Sequence, residues 1–228
     1  NYTFTYDNAR LKKDYQLWWE NSITSAGNVT SLLYAALGKS FSEKNKKLLG
    51  TPFAQFLKLT SEVRTLFKVG EKQHIAARLM GGVLWSYGNQ TVAPYSEQFY
   101  IGGANSLRAF TVRSIGPGTY NPGQNTKYGY LDQTGDIKLE AHVEYRFPIF
   151  GELYGATFLD AGNVWLMRKD ENRQGGEFTL KNFVKSIALN TGVGVRYDLT
   201  FLVIRLDMGI ALHVPYETGK SGYYNIPK

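Results

Sequence analysis

The chain has no cysteine, which excludes disulfide staples, zinc-thiolate sites and thiol nucleophiles. Histidine is scarce, with three in 228 residues. No run of about 18 apolar residues occurs, so no helix is built to cross a membrane; barrel strands alternate and escape that test. The opening Asn1-Tyr2-Thr3-Phe4 lacks the charged and apolar blocks of a signal peptide, which predicts a leader already removed or a start inside a longer protein. Gly102-Gly103-Ala104-Asn105-Ser106 lacks the Gly-Lys-Ser/Thr ending of a phosphate loop, and Ser106 lacks the strand-turn-helix setting of a nucleophile elbow. The reading is therefore no enzyme. The net charge of +7 favours an anionic contact, but no nucleic-acid motif accompanies it. Part of the excess lies between Lys39 and Lys47, which reads as a solvated loop or a contact with anionic lipid head groups.

What is present is alternation. Tyr2, Phe4 and Tyr6 alternate with polar residues, and a second strand runs from about Asp14 to Ala26. Residues 28–52 break the pattern and predict an insertion with short helices, one capped by Thr30 and ended by Gly38, another running from Ser42 to Gly50. Strands resume over Leu57–Val69 and Lys72–Tyr87, and return over Asp136–Ile149, with a turn near Pro148 to Glu152. Three more follow: one to about Met167, then Ser186–Asp198 and Phe201–His213. The remainder, 214–228, reads as an irregular tail. No linker divides 1–228, so the chain is one β domain of about eight antiparallel strands.

The longest stretch without alternation is 98–135. It opens on Gln98-Phe99-Tyr100-Ile101-Gly102-Gly103-Ala104-Asn105-Ser106-Leu107-Arg108-Ala109-Phe110 and continues through Gly116-Pro117-Gly118 and Pro122-Gly123. A loop of that length inside a compact domain points to function.

Alternation alone also fits a soluble sandwich. The strands, however, are roughly 12–15 residues long, against about 5–6 in globular sheets and about 9–11 needed to cross a bilayer. Tyr15, Trp85, Tyr87, Tyr145, Phe147 and Tyr197 sit near strand ends, where interfacial girdles lie, and the polar faces carry charge of both signs. The fold class predicted is an all-β, antiparallel transmembrane β-barrel. Glu140, His142 and Glu144 share one strand face at a spacing able to help hold a metal, but a mixed-charge lumen row explains them more simply.

The loop motif resembles that of the BamA/TamA-like outer-membrane assembly barrels, the bacterial surface antigen family. The resemblance rests on Phe99-Tyr100-Ile101-Gly102-Gly103 with Ser106-Leu107-Arg108-Ala109-Phe110, and on Glu144-Tyr145-Arg146-Phe147-Pro148. It continues in Phe158-Leu159-Asp160-Ala161-Gly162-Asn163-Val164-Trp165, Gly192-Val193-Gly194-Val195-Arg196-Tyr197 and Arg205-Leu206-Asp207-Met208-Gly209. It covers roughly 98–213 and implies the second half of a barrel of roughly sixteen strands. Ala109 stands where the family commonly has Gly, a penalty if that position needs positive φ. The family's final aromatic residue is not found at Pro227-Lys228.

The resemblance implies that the loop enters the lumen and that Arg108 meets the inner wall there. A confined guanidinium requires a carboxylate, ideally bidentate; the polar faces offer Asp160, and Glu144 or Glu140. Asp160 and Glu144 are the matching positions, and Gly162 is expected to leave room for the loop backbone. The site so read is Gly102, Gly103, Leu107, Arg108, Ala109 and Phe110 against Asp160, Gly162, Glu144 and Glu140. It forms a latch, with Arg113 and Arg146 either joining it or balancing lumen charge.

The implied function is non-enzymatic insertion or export of client outer-membrane or surface proteins in the outer membrane of a Gram-negative bacterium. The resemblance also implies no cofactor, lipid around the barrel and periplasmic POTRA modules preceding it in the parent chain. Rival readings are a two-partner-secretion translocator for one secreted protein, a passive porin and a soluble β-rich binding module.

Overall fold

The computed structural model describes residues 1–9, 14–41, 43–44, 46–89, 92–121, 123, 133–199 and 201–216. In chain order the elements are β1 (Tyr2–Asp7), β2 (Tyr15–Ala26), helix α1 (Asn28–Ala36), and the two-residue strands β3 (Lys47–Leu48) and β4 (Thr51–Pro52). Then follow β5 (Phe56–Lys68), β6 (His74–Ser86), β7 (Ile137–Phe150), β8 (Leu153–Trp165), β9 (Ala188–Asp198) and β10 (Val203–His213). The long strands form one eight-stranded antiparallel sheet in the order β1-β2-β5-β6-β7-β8-β9-β10, with β1 and β10 at its edges. This is the wall of a partial β-barrel. Connections at one end are short, as at Gly151–Glu152; those at the other, 27–55, 87–136 and 166–187, are long.

Register sorts the side chains onto two faces. Val63 stands opposite Leu79 and Leu79 opposite Ala141, while one residue on Glu62 faces Met80 and Met80 faces Glu140. Because the side-chain period is two, a slip by one residue would exchange the faces. The apolar row, which includes Leu59, Phe67, Val143, Leu159, Val193 and Met208, is exposed on the outside. Aromatic pairs close both ends of that row: Tyr15 lies 6.5 Å from Phe67 and Tyr145 5.7 Å from Phe147 at one, and Trp85 5.2 Å from Tyr87 at the other.

The inner face is covered by the described residues of the 98–135 loop rather than by a second sheet. Phe99, Ile101, Leu107, Phe110 and Ile115 of the loop join Phe56, Leu84, Val164, Ala188 and Ala211 of the wall in one buried cluster. The neck of the loop is tied by paired backbone bonds between Phe99 and Gly135, at 2.9 and 2.8 Å. Gly82 makes the seat for Phe99: a Cβ there would stand 2.5 and 2.8 Å from two ring carbons.

Several local expectations are corrected. α1 starts at Asn28 with Gly27, at φ 72°, as its N-cap; Thr30 lies inside the helix. A side chain at Gly27 would run into the Ala54 carbonyl. The second expected helix does not form; β3 and β4 pair there as a hairpin, turning through Leu49 and Gly50 at φ 50° and 82°. Two consecutive left-handed residues suit a tight hairpin and end a helix. Ser42, its expected cap, and 217–228 of the tail lie outside the described residues. β7 runs through Pro148 to Phe150, with the register shift at Pro148/Phe150, a bulge site where a strand tolerates proline.

The two neighbouring glycines of β6 provide a paired test. Gly82→Ala in the intact parent forces Phe99 from its seat, with an expected cost of about 1–3 kcal/mol from overpacking. Gly81→Ala, where the nearest atom to a new Cβ is the Lys138 carbonyl oxygen at 4.0 Å, costs little. Thermal unfolding of the purified barrels, followed by the loss of heat-modifiable gel mobility, reads the difference.

Candidate functional site

The loop builds its own scaffold before it meets the wall. Gly102 and Gly103 adopt φ of 95° and 92°, and a side chain at Gly102 would collide with the Thr111 carbonyl. With that reversal the Gly103 N–H donates to the Phe110 carbonyl at 2.8 Å and the Arg113 N–H to the Ile101 carbonyl at 2.9 Å. The Gly102 N–H donates to Ser106 Oγ at 3.0 Å, and Ser106 Oγ donates to Glu140 Oε1. Leu107 is fully buried and Phe110 nearly so, so Arg108 leaves a loop pinned by an apolar residue on each side.

Arg108 lands on β8 and β7. Its Nε donates to Asp160 Oδ2 at 2.9 Å and its Nη2 to Asp160 Oδ1 at 2.8 Å, a bidentate pair; Nη1 donates to Glu144 Oε2. The guanidinium carbon lies 3.4 Å from the centre of the Phe158 ring, which stands between those carboxylates on the same inner face. The Arg108 side chain is 8% exposed, Glu144 9% and Asp160 0%. Removing one member of such a buried pair strands the other charge in a poorly solvated place, at a cost of about 3–5 kcal/mol.

The network reaches further than the sequence analysis foresaw. Arg196 of β9 donates to Glu144 at 2.9 Å and lies 2.6 Å from Asp207 of β10. Asp207 is also 3.8 Å from Arg108 and 3.3 Å from Arg205, and Arg205 donates to the Ala104 carbonyl oxygen at 2.8 Å. His142 Nδ1 lies 3.0 Å from Asp160 Oδ1. Ser106, His142, Phe158, Arg196 and Asp207 were therefore missed. Their signal was strand parity, since each strand member lies on the same inner face as Glu144 or Asp160.

The other anticipated residues divide. Glu140 does not touch Arg108; it takes Ser106 and lies 3.3 Å from Lys138. Arg146 joins the network through Glu144 at 2.7 Å. Arg113 instead has its guanidinium 4.7 and 4.4 Å from the ring centres of Tyr95 and Tyr100. Gly162 makes room for the neighbouring strand rather than for the loop: the atoms nearest a side chain there are the Leu139 carbonyl oxygen at 2.5 Å and Glu140 Cα and Cγ at 3.1 Å. Gly209 of β10 is where the loop backbone comes close, with Ala109 N and Cβ 3.1 Å from where its Cβ would stand. Ala109 itself is not among the positive-φ residues, so its Cβ carries no backbone penalty.

Exchanging Arg108 for Lys keeps the charge and loses the fork. The expected result for R108K in the intact parent is a loss of stability closer to that of R108A than to wild type, because an ammonium does not span both Asp160 oxygens and Glu144. Thermal melts of the three proteins in detergent measure it.

Comparison with known proteins places this arrangement. Residues 36–224 match the Omp85 superfamily domain. The outer membrane protein assembly factor BamA of Neisseria meningitidis serogroup B is 33% identical over 90 residues, 37% of this chain and 11% of that protein. The human sorting and assembly machinery component 50 homolog is 28% identical over 150 residues, 63% of this chain and 30% of that protein. The crystal structure of BamA from Haemophilus ducreyi lacking POTRA domains 1–3 superimposes with a TM-score of 0.57 at 15% identity, covering 92% of this chain and 37% of that one. The chain thus spans about a third or less of the length of these relatives. With the match running across the loop, the acidic strands and the last hairpin, the chain belongs to the Omp85 superfamily.

Proposed function

We propose that this chain is the C-terminal part of an outer-membrane barrel that inserts or exports other membrane or surface proteins without enzymatic chemistry, with the Arg108 loop as an internal latch. The observation that carries the reading is the span of the ion network. One loop arginine engages β7 and β8 directly, and one of the two carboxylates, Glu144, connects through Arg196 to Asp207 on β10. Ala109 packs on Gly209 of that strand. The loop thereby braces four consecutive strands up to the last described edge. An edge strand presents unpaired backbone groups, and a barrel that opens there is able to template an incoming strand by β-augmentation. The bracing keeps the wall in register while the edge exchanges partners.

The names of the relatives, an outer membrane protein assembly factor and a sorting and assembly machinery component, support an assembly role and an outer-membrane location. The similar BamA structure, which lacks POTRA domains 1–3, supports POTRA modules in the parent protein. Client proteins and lipid are then its partners.

Depleting the intact parent is expected to lower many barrel proteins together in a quantitative outer-membrane proteome. Loss of one secreted protein alone would transfer the reading to a dedicated translocator, and altered solute uptake with an unchanged proteome to a porin. Arg108→Ala is expected to lower the melting temperature of the parent, reflecting a loss of about 3–5 kcal/mol, and to reduce barrel assembly in the same assay. An unchanged melt and unchanged assembly would remove the latch.

A further inference from the structure

The insertion between β2 and β5 carries an amphipathic helix turned inside out. In α1 the side toward the protein is small or polar: Ser31 is buried, and Tyr34 and Ala35 are half-buried. Val29, Leu32, Leu33 and Leu37, with Ala36 between them, are exposed, the four large ones by 60–81%. Those five positions follow the i, i+3, i+4, i+7, i+8 spacing of one helix face. An apolar stripe of that kind normally faces a core. Here nothing among the described residues covers it.

The hairpin beside the helix repeats the feature. Tyr34 links the two elements, its hydroxyl donating to the Lys47 carbonyl and its ring lying 6.4 Å from Phe53. At the hairpin tip Leu49 is 98% exposed and Leu48 51%. Leu49 also holds a left-handed φ of 50°, a conformation that Gly or Asn adopts with less strain. Water alone gives no reason for leucine at that position.

Position and charge identify the occupant. The root of α1 joins the outer aromatic belt: the Tyr87 hydroxyl donates to Asn28 Oδ1 at 2.8 Å, and Tyr87 sits beside Trp85 on the outer face of the wall. The exposed stripe therefore begins where the lipid-facing wall ends. Lys39, Lys44 and Lys47 are exposed around it, and Glu43 is the one acidic residue in 28–52. A helix with leucines on one side and lysines at its margin lies in the plane of a bilayer interface, its apolar face about 5–10 Å into the head-group and acyl boundary.

We propose that α1 and the Leu49 hairpin tip form an interfacial anchor that seats in the anionic lipid head-group layer at the long-loop end of the barrel. The leucines enter the acyl boundary, and Lys39, Lys44 and Lys47 meet lipid phosphates. The anchor fixes the tilt of β2 and β5 in the bilayer and is independent of the Arg108 network.

The test uses the intact parent in phospholipid bilayers, with a nitroxide label on Leu33→Cys or Leu49→Cys; this chain supplies no cysteine of its own. Labels on Leu159→Cys, in the outer wall, and Glu171→Cys, in a polar connection, calibrate the scale. The expected label at either anchor position collides with oxygen and is protected from chromium oxalate severalfold relative to Glu171→Cys, at a depth shallower than Leu159→Cys. A label as open to chromium oxalate as Glu171→Cys overturns the proposal. So does one shielded from both reagents, which would mean that protein covers the helix. Replacing Lys39, Lys44 and Lys47 by Gln is expected to raise the label toward water in vesicles containing anionic phospholipid and to change less in purely zwitterionic ones. The same response in both would refute the phosphate contact. Heat-modifiable gel mobility shows in each case that the barrel is folded.

Discussion

A guanidinium withdrawn from water has to be met by carboxylates in fixed geometry, and the inner face of this sheet is arranged around that requirement at Arg108. Two carboxylates receive it directly, Asp160 on both oxygens and Glu144 on one. Each is then shared, Asp160 with His142 and Glu144 with Arg146 and Arg196. Alternating signs let four strands carry charge toward one point without leaving an excess buried there. Charge-assisted, bidentate bonds in a region screened from solvent are directional as well as strong. The network therefore specifies where the loop sits, and need not add much net stability over an apolar filling.

That placement solves a packing problem which a single curved sheet cannot solve alone. One side of the wall is apolar and faces outward; the inner side, facing no second sheet, has no partner of its own. The loop is that partner. Its Ile101, Leu107 and Phe110 pack with Leu84, Val164 and Ala211 of the wall, and its backbone closes on Gly209. Apolar burial and the ion pairs are side by side: Leu107 precedes the arginine and Phe110 follows two residues later. Displacing one side chain therefore disturbs the surroundings of the other.

The outer surface divides into two regimes. Along the strands, alternation sets apolar residues toward lipid and aromatic pairs near both ends. At the long-loop end, α1 continues the apolar surface past the last strand residues, with a change of period from two to 3.6. Apolar surface is thus presented on two different backbones, a strand with period two and a helix with period 3.6.

Much of this was legible in the chain. Period-two alternation identified the eight long strands and their faces, since burial on one side imposes that period on any sheet. The Gly-Gly turn and the isolated arginine of 101–110 marked the loop, and the acidic positions of β7 and β8 marked candidate partners. Other features were not legible. A strand's parity says which face a side chain takes but not its height, so alternation alone did not separate Glu144, which meets Arg108, from Glu140, which meets Ser106; only the family resemblance singled out Glu144. Asp207 and Arg196 read as ordinary lumen charges until register set them beside Glu144. The tip at Leu49 read as helix, because a short apolar run has no decisive period and a leucine at positive φ contradicts local preference. The sequence by itself determined which residues face lipid and which face the interior, because that choice is made locally by the pleat. Only the tertiary structure decided which charges meet, because distance across strands depends on register and on how deeply one loop folds into the wall.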